Sequence, residues 1–191
     1  GMTFVIITGG IDLSVGSVVG FSSVMCGVLM KNQGWGIFPS LLVITILCLL
    51  IGLLNGILIH YGKLPEFIAT LGTMQMLRGL AMVITNGRLI SGIPSEFTSF
   101  AQLNILGLPS LFIVWLIVIL IAAYLLKYSI YGRGIYAIGS NKEASRLSGI
   151  KVGPTICSTY MLNAFCACMA GILLTARVTS AQPAAGEGYE M

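Results

Sequence analysis

The sequence predicts an all-α polytopic membrane protein with about five to six transmembrane segments. Three observations carry that expectation. Of 191 residues, 57% are hydrophobic and 8% are charged, against roughly 25% charged in a soluble domain. Apolar runs recur at the length of a membrane span, about 20 residues, and residues 108–126 and 152–176 hold no charge at all. Between those two runs lies a polar island, 127–151, carrying Lys127, Arg133, Lys142, Glu143, Arg146 and Lys151. A charged island between apolar runs reads as a loop on one bilayer face.

The first apolar run, residues 2–30, is interrupted by Gly9-Gly10-Ile11-Asp12-Leu13-Ser14. Paired glycines and an Asp are poor in a helix interior, so this is either one broken helix or two spans with Ser14 as a cap. Gly16 and Gly20 then allow a neighbouring helix to come close. Lys31 to Pro39 reads as a turn, and residues 40–59 as a clear span. Gly52 and Gly56 in that span form a GxxxG pair, and Asn55 can bond across the interface.

Residues 67–86 form the span richest in polar groups. At 100° per residue, Glu66, Thr70 and Thr73 share one face, while Gln75, Arg78 and Met82 lie broadly on another. Ala69, Gly72, Met76 and Gly79 make a small-residue face suited to packing. Arg78 costs about 2.5–3.5 kcal/mol within a span, so it faces a cavity or partner, or snorkels to the nearer surface. Residues 87–107 read as a mixed loop. Pro109 opens the next span, and residues 154–176 form the one after the island, with Asn163 as its strongly polar group. Arg177 to Met191 reads as a Gly/Pro-rich tail.

Within the island, Ser140-Asn141-Lys142-Glu143 fits a capping box, with Ser140 as cap and Glu143 reaching back. Gly149 suits the left-handed position after the helix end. The predicted helix, 141–148, is about two turns or roughly 12 Å long. It is either a solvated connector or a helix built to touch a partner. Counted by loop, Lys63, Lys127, Arg133, Lys142, Arg146 and Lys151 fall on one side, and Lys31, Arg88 and Arg177 on the other. The richer side is the cytoplasmic one.

Other readings fall away. The net charge of +4 follows from loop Lys and Arg and requires no nucleic acid. The five cysteines all lie in apolar segments and read as small buried hydrophobes. His60 has no metal-ligand company. Gly132-Arg-Gly134-Ile-Tyr-Ala137 matches a dinucleotide fingerprint in letters only, since no strand precedes it. The glycine spacing from Gly134 lacks the Lys of a phosphate loop. No carboxylate pair or Ser/His/Asp set supports catalysis, and no cofactor or metal is expected.

Four stretches carry a family resemblance: residues 1–17, ending Gly9-Gly-Ile-Asp-Leu-Ser-Val-Gly-Ser17; Leu64-Pro-Glu-Phe-Ile-Ala-Thr-Leu-Gly-Thr73 with Arg78-Gly79; 131–150; and 176–190, which contains Thr179-Ser-Ala-Gln-Pro-Ala-Ala-Gly-Glu-Gly-Tyr-Glu190. In order and spacing they resemble the permease subunit of bacterial ribose-type (monosaccharide) ABC importers. The resemblance implies a single transmembrane permease domain over 1–191, a fragment of a roughly ten-helix subunit that is longer at both ends. It implies a multi-pass protein of the bacterial inner membrane. The implied partners are an ABC ATPase, a periplasmic or lipid-anchored sugar-binding protein and a second permease subunit, either a copy or a close paralogue.

The resemblance also gives the predicted helix a partner. Glu143-Ala144-Ser145 followed by Gly149 is similar to the EAA-and-glycine signature of importer coupling loops, with Ser145 in place of the second alanine and no Ile-x-Leu-Pro portion. Residues 131–151 are then the cytoplasmic coupling loop, with Ser140, Asn141, Glu143, Ala144, Arg146 and Gly149 toward the ATPase. For a neutral sugar the path needs scattered hydroxyl and amide groups and no deep site. Asp12, Ser14, Asn55, Thr70, Thr73, Gln75 and Arg78 are the candidates, with bonding to helix carbonyls the competing role for each Ser and Thr. Another cargo, such as a branched-chain amino acid, a nucleoside or a signalling sugar, is the first alternative. An ion-coupled carrier would need intramembrane acids, of which only Asp12 qualifies.

Overall fold

The computed structural model describes residues 1–105 and 107–189. Among the described residues nine α-helices run in chain order: α1 Met2–Ile7, α2 Val15–Cys26, α3 Ile37–His60, α4 Glu66–Thr85, α5 Ser95–Gln102, α6 Ser110–Tyr128, α7 Ile130–Ser140, α8 Lys142–Leu147 and α9 Val152–Val178. Helix α2 continues as a π-helical turn through Asn32. Among the described residues five helices are long and apolar enough to cross a membrane: α2 with its extension, α3, α4, α6 and α9. At 1.5 Å per residue, the 24 residues of α3 reach about 36 Å, enough for a hydrocarbon core of about 30 Å.

The centre of the bundle is α9, packed on α3 and α2. Lipid tails offer no hydrophobic drive between helices, so close contact must come from small residues. A Cβ on Gly52 would lie 2.6 Å from the Tyr160 carbonyl oxygen, and one on Gly56 2.6 Å from the Cys157 Cα. The GxxxG pair is therefore a packing pair between α3 and α9. Gly171 of α9 meets Ser22 and Val19 of α2 in the same way. Helix α6 is peripheral, with only Ser110 buried.

Two apolar clusters fill the interior. One holds Val5, Ile59, Ala69, Ile138, Ile156 and Tyr160 at the Lys/Arg-rich end. The other surrounds Val19, Ile44, Cys48, Leu77, Ala167 and Ile172 toward the opposite end. Four of the five cysteines are buried; Cys166 is only half-buried, which corrects the uniform reading from sequence.

Several sequence expectations change. The opening run, left open between a broken helix and two spans, is two helices: α1 ends at Ile7 and α2 begins at Val15. Ser14 occupies the N-cap position, but its side chain caps nothing, because its hydroxyl is committed to Asp12. The 87–107 loop contains helix α5 and strands β1 (Ile90–Ser91) and β2 (Asn104–Ile105), the latter paired with β3 (Leu108–Pro109). The polar island is mostly helical. Helix α7 starts where the Ser129 hydroxyl accepts from the Gly132 amide at 2.9 Å, and it buries Ile135 and Ile138. An amphipathic helix with two buried isoleucines is docked, not solvated.

The cap of α8 is also displaced. Ser140 ends α7, and Asn141 caps α8, its Oδ1 accepting from the Ala144 amide at 2.9 Å. Glu143 does not reach back to close a capping box; it pairs with Arg146 at 2.6 Å. Gly149 has φ +82°, as expected after a helix end. On α4, Ala69 is buried, but Gly72, Met76 and Gly79 are exposed. Nothing lies within 4 Å of a Cβ added at Gly72 or Gly79, so that face is unpacked in this chain.

The largest difference is the tail. Strand β4 (Ser180–Ala181) pairs antiparallel with β1, and the chain then folds back along α2. Ala181 contacts Gly27, the Ala185 carbonyl lies 2.7 Å from a Cβ built on Gly20, and Gly186 meets the Gly16 carbonyl. Gly16 and Gly20 thus receive an irregular segment and not a helix. Glu190, the last residue of the fourth motif stretch, lies outside the described residues.

Candidate functional site

Between the two apolar clusters lies one polar layer. Asp12 is its hub, in the non-helical link between α1 and α2. Its Oδ1 accepts from the Ser14 amide at 2.9 Å and the Ser14 hydroxyl at 2.5 Å. Its Oδ2 accepts from the Asn163 amide of α9 at 2.8 Å. The Ser14 Oγ in turn accepts from Asn55 Nδ2 of α3 at 3.1 Å. The Thr73 hydroxyl of α4 donates to Asn55 Oδ1 at 2.6 Å. Asp12, Ser14, Asn55, Thr73 and Asn163 are all buried.

The physical reason for the cluster is desolvation. A buried carboxylate without partners is costly, and three donors converge on this one. Backbone freed by the helix break needs partners as well; the Tyr160 hydroxyl donates to the Ile11 carbonyl at 3.2 Å. Asn55 lies five residues from the end of α3 and Thr73 seven from the start of α4, so the layer sits about 8–10 Å inside the helix ends.

Of the seven candidates read from the sequence, four therefore meet: Asp12, Ser14, Asn55 and Thr73. Thr70 is buried beside them, but its hydroxyl donates to the Glu66 carbonyl of its own helix at 2.9 Å. Gln75 is exposed on α4. Arg78 is half-buried higher on α4, lining a cleft of about 110 Å³ with Ser17, Pro183, Ala184 and Glu187. Asn163 stood out in the sequence as the polar residue of its span. Nothing local tied it to Asp12, 151 positions away.

At the Lys/Arg-rich end, α8 borders an open groove of about 870 Å³ lined by Lys63, Glu66, Lys142, Glu143, Arg146 and Lys151. Lys142 Nζ lies 3.5 Å from Glu66 Oε1, which ties α8 to the first turn of α4. Only Ser145 of α8 is buried. Asn141, Glu143, Ala144 and Arg146 are exposed, and Leu147 is 80% exposed. An apolar side chain standing clear of a charged surface helix suits a protein contact; the charge pattern that marked this helix in sequence drew no notice to it. Helix α7 anchors the assembly. Its Tyr131 hydroxyl is 2.8 Å from the Ser158 hydroxyl of α9. Burial pushes the Tyr131 phenol above its ordinary value, partly offset by that bond.

Membrane-length helices around a buried polar layer, with a docked surface helix pair at one end, define a polytopic α-helical membrane protein. Residues 1–191 match the family described as branched-chain amino acid transport system, permease component, and the chain belongs to that family. It is similar to the ribose import permease of Haemophilus influenzae, 40% identical over 100% of this chain and 60% of the relative. The ribose import permease of Bacillus subtilis is 42% identical over 100% and 60%. The autoinducer 2 import system permease of Escherichia coli is 35% identical over 100% and 56%. The chain thus spans about 60% of the length of the ribose permeases it matches. No solved structure matches it significantly.

Proposed function

We propose that the chain is part of the membrane-spanning subunit of an ATP-driven importer, carrying a monosaccharide such as ribose across the bacterial inner membrane. ATP hydrolysis belongs to a separate ATPase subunit, so this chain is a transport subunit and not an enzyme. A periplasmic or lipid-anchored sugar-binding protein delivers cargo, and a second permease subunit completes the path. The similarity to two ribose import permeases supports the cargo.

The observation that carries the reading is the α7–α8 unit. By the positive-inside rule its end of the bundle is cytoplasmic. Helix α8 presents Asn141, Glu143, Ala144, Arg146 and Leu147 outward, as a helix seated in a groove of an ATPase would. Behind it, Ile138 of α7 packs into the same cluster as Val5, Ala69 and Tyr160, and Lys142 holds Glu66 of α4. Closure of an ATPase dimer would move α8, and packed helices would carry that movement inward. Residues 131–151 are thus the coupling loop, with Ser140 at the α7–α8 junction and Gly149 closing it.

In this reading Asp12, Ser14, Asn55 and Thr73 act on the path from within the wall, holding the broken helix that shapes it. Thr70 supports α4, and Gln75 and Arg78 meet the path more directly. The matched family's description keeps a branched-chain amino acid as a second cargo. Reconstitution of the full-length permease with its ATPase and binding protein in liposomes decides the cargo: ribose is expected to stimulate ATP hydrolysis and to accumulate. Stimulation by leucine and not by ribose would refute the sugar.

A further inference from the structure

The re-entrant tail is the one described irregular segment that follows a membrane-length helix back into the bundle. From Ala181 to Gly186 it passes Gly27, Gly20 and Gly16 in turn, a descent of about 16 Å along α2. It is held in place at its top, where the Gln182 amide donates to the Ser23 hydroxyl at 3.2 Å, itself bonded by Thr175 at 2.8 Å. Below, turns join Ala185 to Gln182 and Glu187 to Ala184 through backbone bonds of 3.1 and 3.2 Å. Non-helical backbone at membrane depth persists only where it is buried in protein or lines a watery cavity. Within this segment Gly186 is buried, while Gln182, Ala184 and Glu187 are exposed.

Glu187 lies beside Gly186 at the level of Gly16, close to the depth of the polar layer. An ionisable side chain at membrane depth is costly and is by default a candidate functional position. It borders two adjoining clefts. One, of about 110 Å³, adds Ser17 and Arg78. The other, of about 280 Å³, adds Gln182 and Tyr189.

We propose that Glu187, with Gln182 and Tyr189 of the re-entrant segment and Arg78 of α4, forms a transient binding site for the hydroxyl groups of the sugar within the translocation path. The proposal rests on the importer reading. Its chemistry is that of polyol recognition. Carboxylate, amide and guanidinium groups are planar and present paired acceptors or donors to neighbouring hydroxyls. The Tyr189 ring offers an apolar face to the C–H side of a pyranose or furanose. The clefts are open and shallow, which suits a site that must release its cargo.

The test uses the full-length permease assembled with its ATPase and binding protein. Ala184→Cys is expected to react with a membrane-impermeant thiol reagent, and turnover with ribose is expected to slow that reaction. Leu120→Cys, on the exposed face of α6, serves as the unreactive reference. Glu187→Gln is expected to lower the maximal uptake rate about tenfold, the loss of one charge-assisted hydrogen bond. Its thermal stability and the half-saturating ribose concentration, which the binding protein sets, should be unchanged. If Ala184→Cys reacts no faster than Leu120→Cys, if ribose leaves its rate unaltered, or if Glu187→Gln transports normally, the site is absent although the importer stands. Uptake of leucine in place of ribose by the unsubstituted transporter would remove the sugar cargo and this site together, while the importer reading would stand.

Discussion

Asp12 shows how a charged residue persists in an apolar bundle. Each of its oxygens has a hydrogen-bond donor, and the groups that donate come from another element or from the break itself. Removing one donor leaves the carboxylate under-satisfied, a loss of roughly 1–3 kcal/mol. Asn163→Ala is therefore expected to lower the thermal midpoint of the purified permease in detergent, with Asn163→Asp worse because a second carboxylate would face Asp12. An unchanged midpoint for both would mean that the layer contributes little to stability. At the surface, Asn141→Ala removes the cap of α8, worth about 1 kcal/mol. Glu143→Arg loses only an exposed pair, worth about 0–1 kcal/mol. Both are expected to insert and fold normally, which circular dichroism and monodispersity would report, while ATPase association weakens more for Asn141→Ala.

Among the elements, α3 and α9 depend on absent side chains and α4 does not. Gly52→Leu would force the Tyr160 backbone away and is expected to abolish the folded, monodisperse protein. Gly72→Leu meets nothing within 4 Å, so the fold should survive; misfolding on that substitution would show that the α4 face is packed after all. The link between α8 and α4 is testable by charge exchange. Lys142→Glu places two carboxylates where one ion pair stands, and impaired uptake is expected. Glu66→Lys in the same chain should restore it. Failure of the exchange, with each single variant normal, would remove the ion pair from the coupling route.

Across the whole molecule, what the sequence made legible was what a run of residues states locally. Spans were readable because about 20 apolar residues are both necessary and conspicuous. Gly149 was readable because a helix stop has a local chemistry. The α8 cap was misplaced by one residue because Ser140 and Asn141 are both good caps, and only the extent of α7 decides between them. The Asp12 layer was half readable. Its members stood out as polar residues in apolar runs, but the pairing of Asp12 with Asn163 requires the fold. The re-entrant tail was unreadable, since Gly and Pro signal an irregular chain and say nothing of where it goes. Two apolar clusters flank a polar layer, with α7 and α8 beneath, and the proposed coupling requires that packing to carry movement inward.

The measurement that bears most directly on this is ribose uptake by proteoliposomes holding the full-length permease, its ATPase and its binding protein, with and without Leu147→Glu. Leu147 makes little contact within this chain, being 80% exposed, so its replacement leaves the bundle intact. Uptake should fall to background with loss of ATPase from the purified complex, while the permease alone keeps its thermal midpoint. Uptake at the unsubstituted rate with the ATPase bound as before would contradict the coupling role of α8.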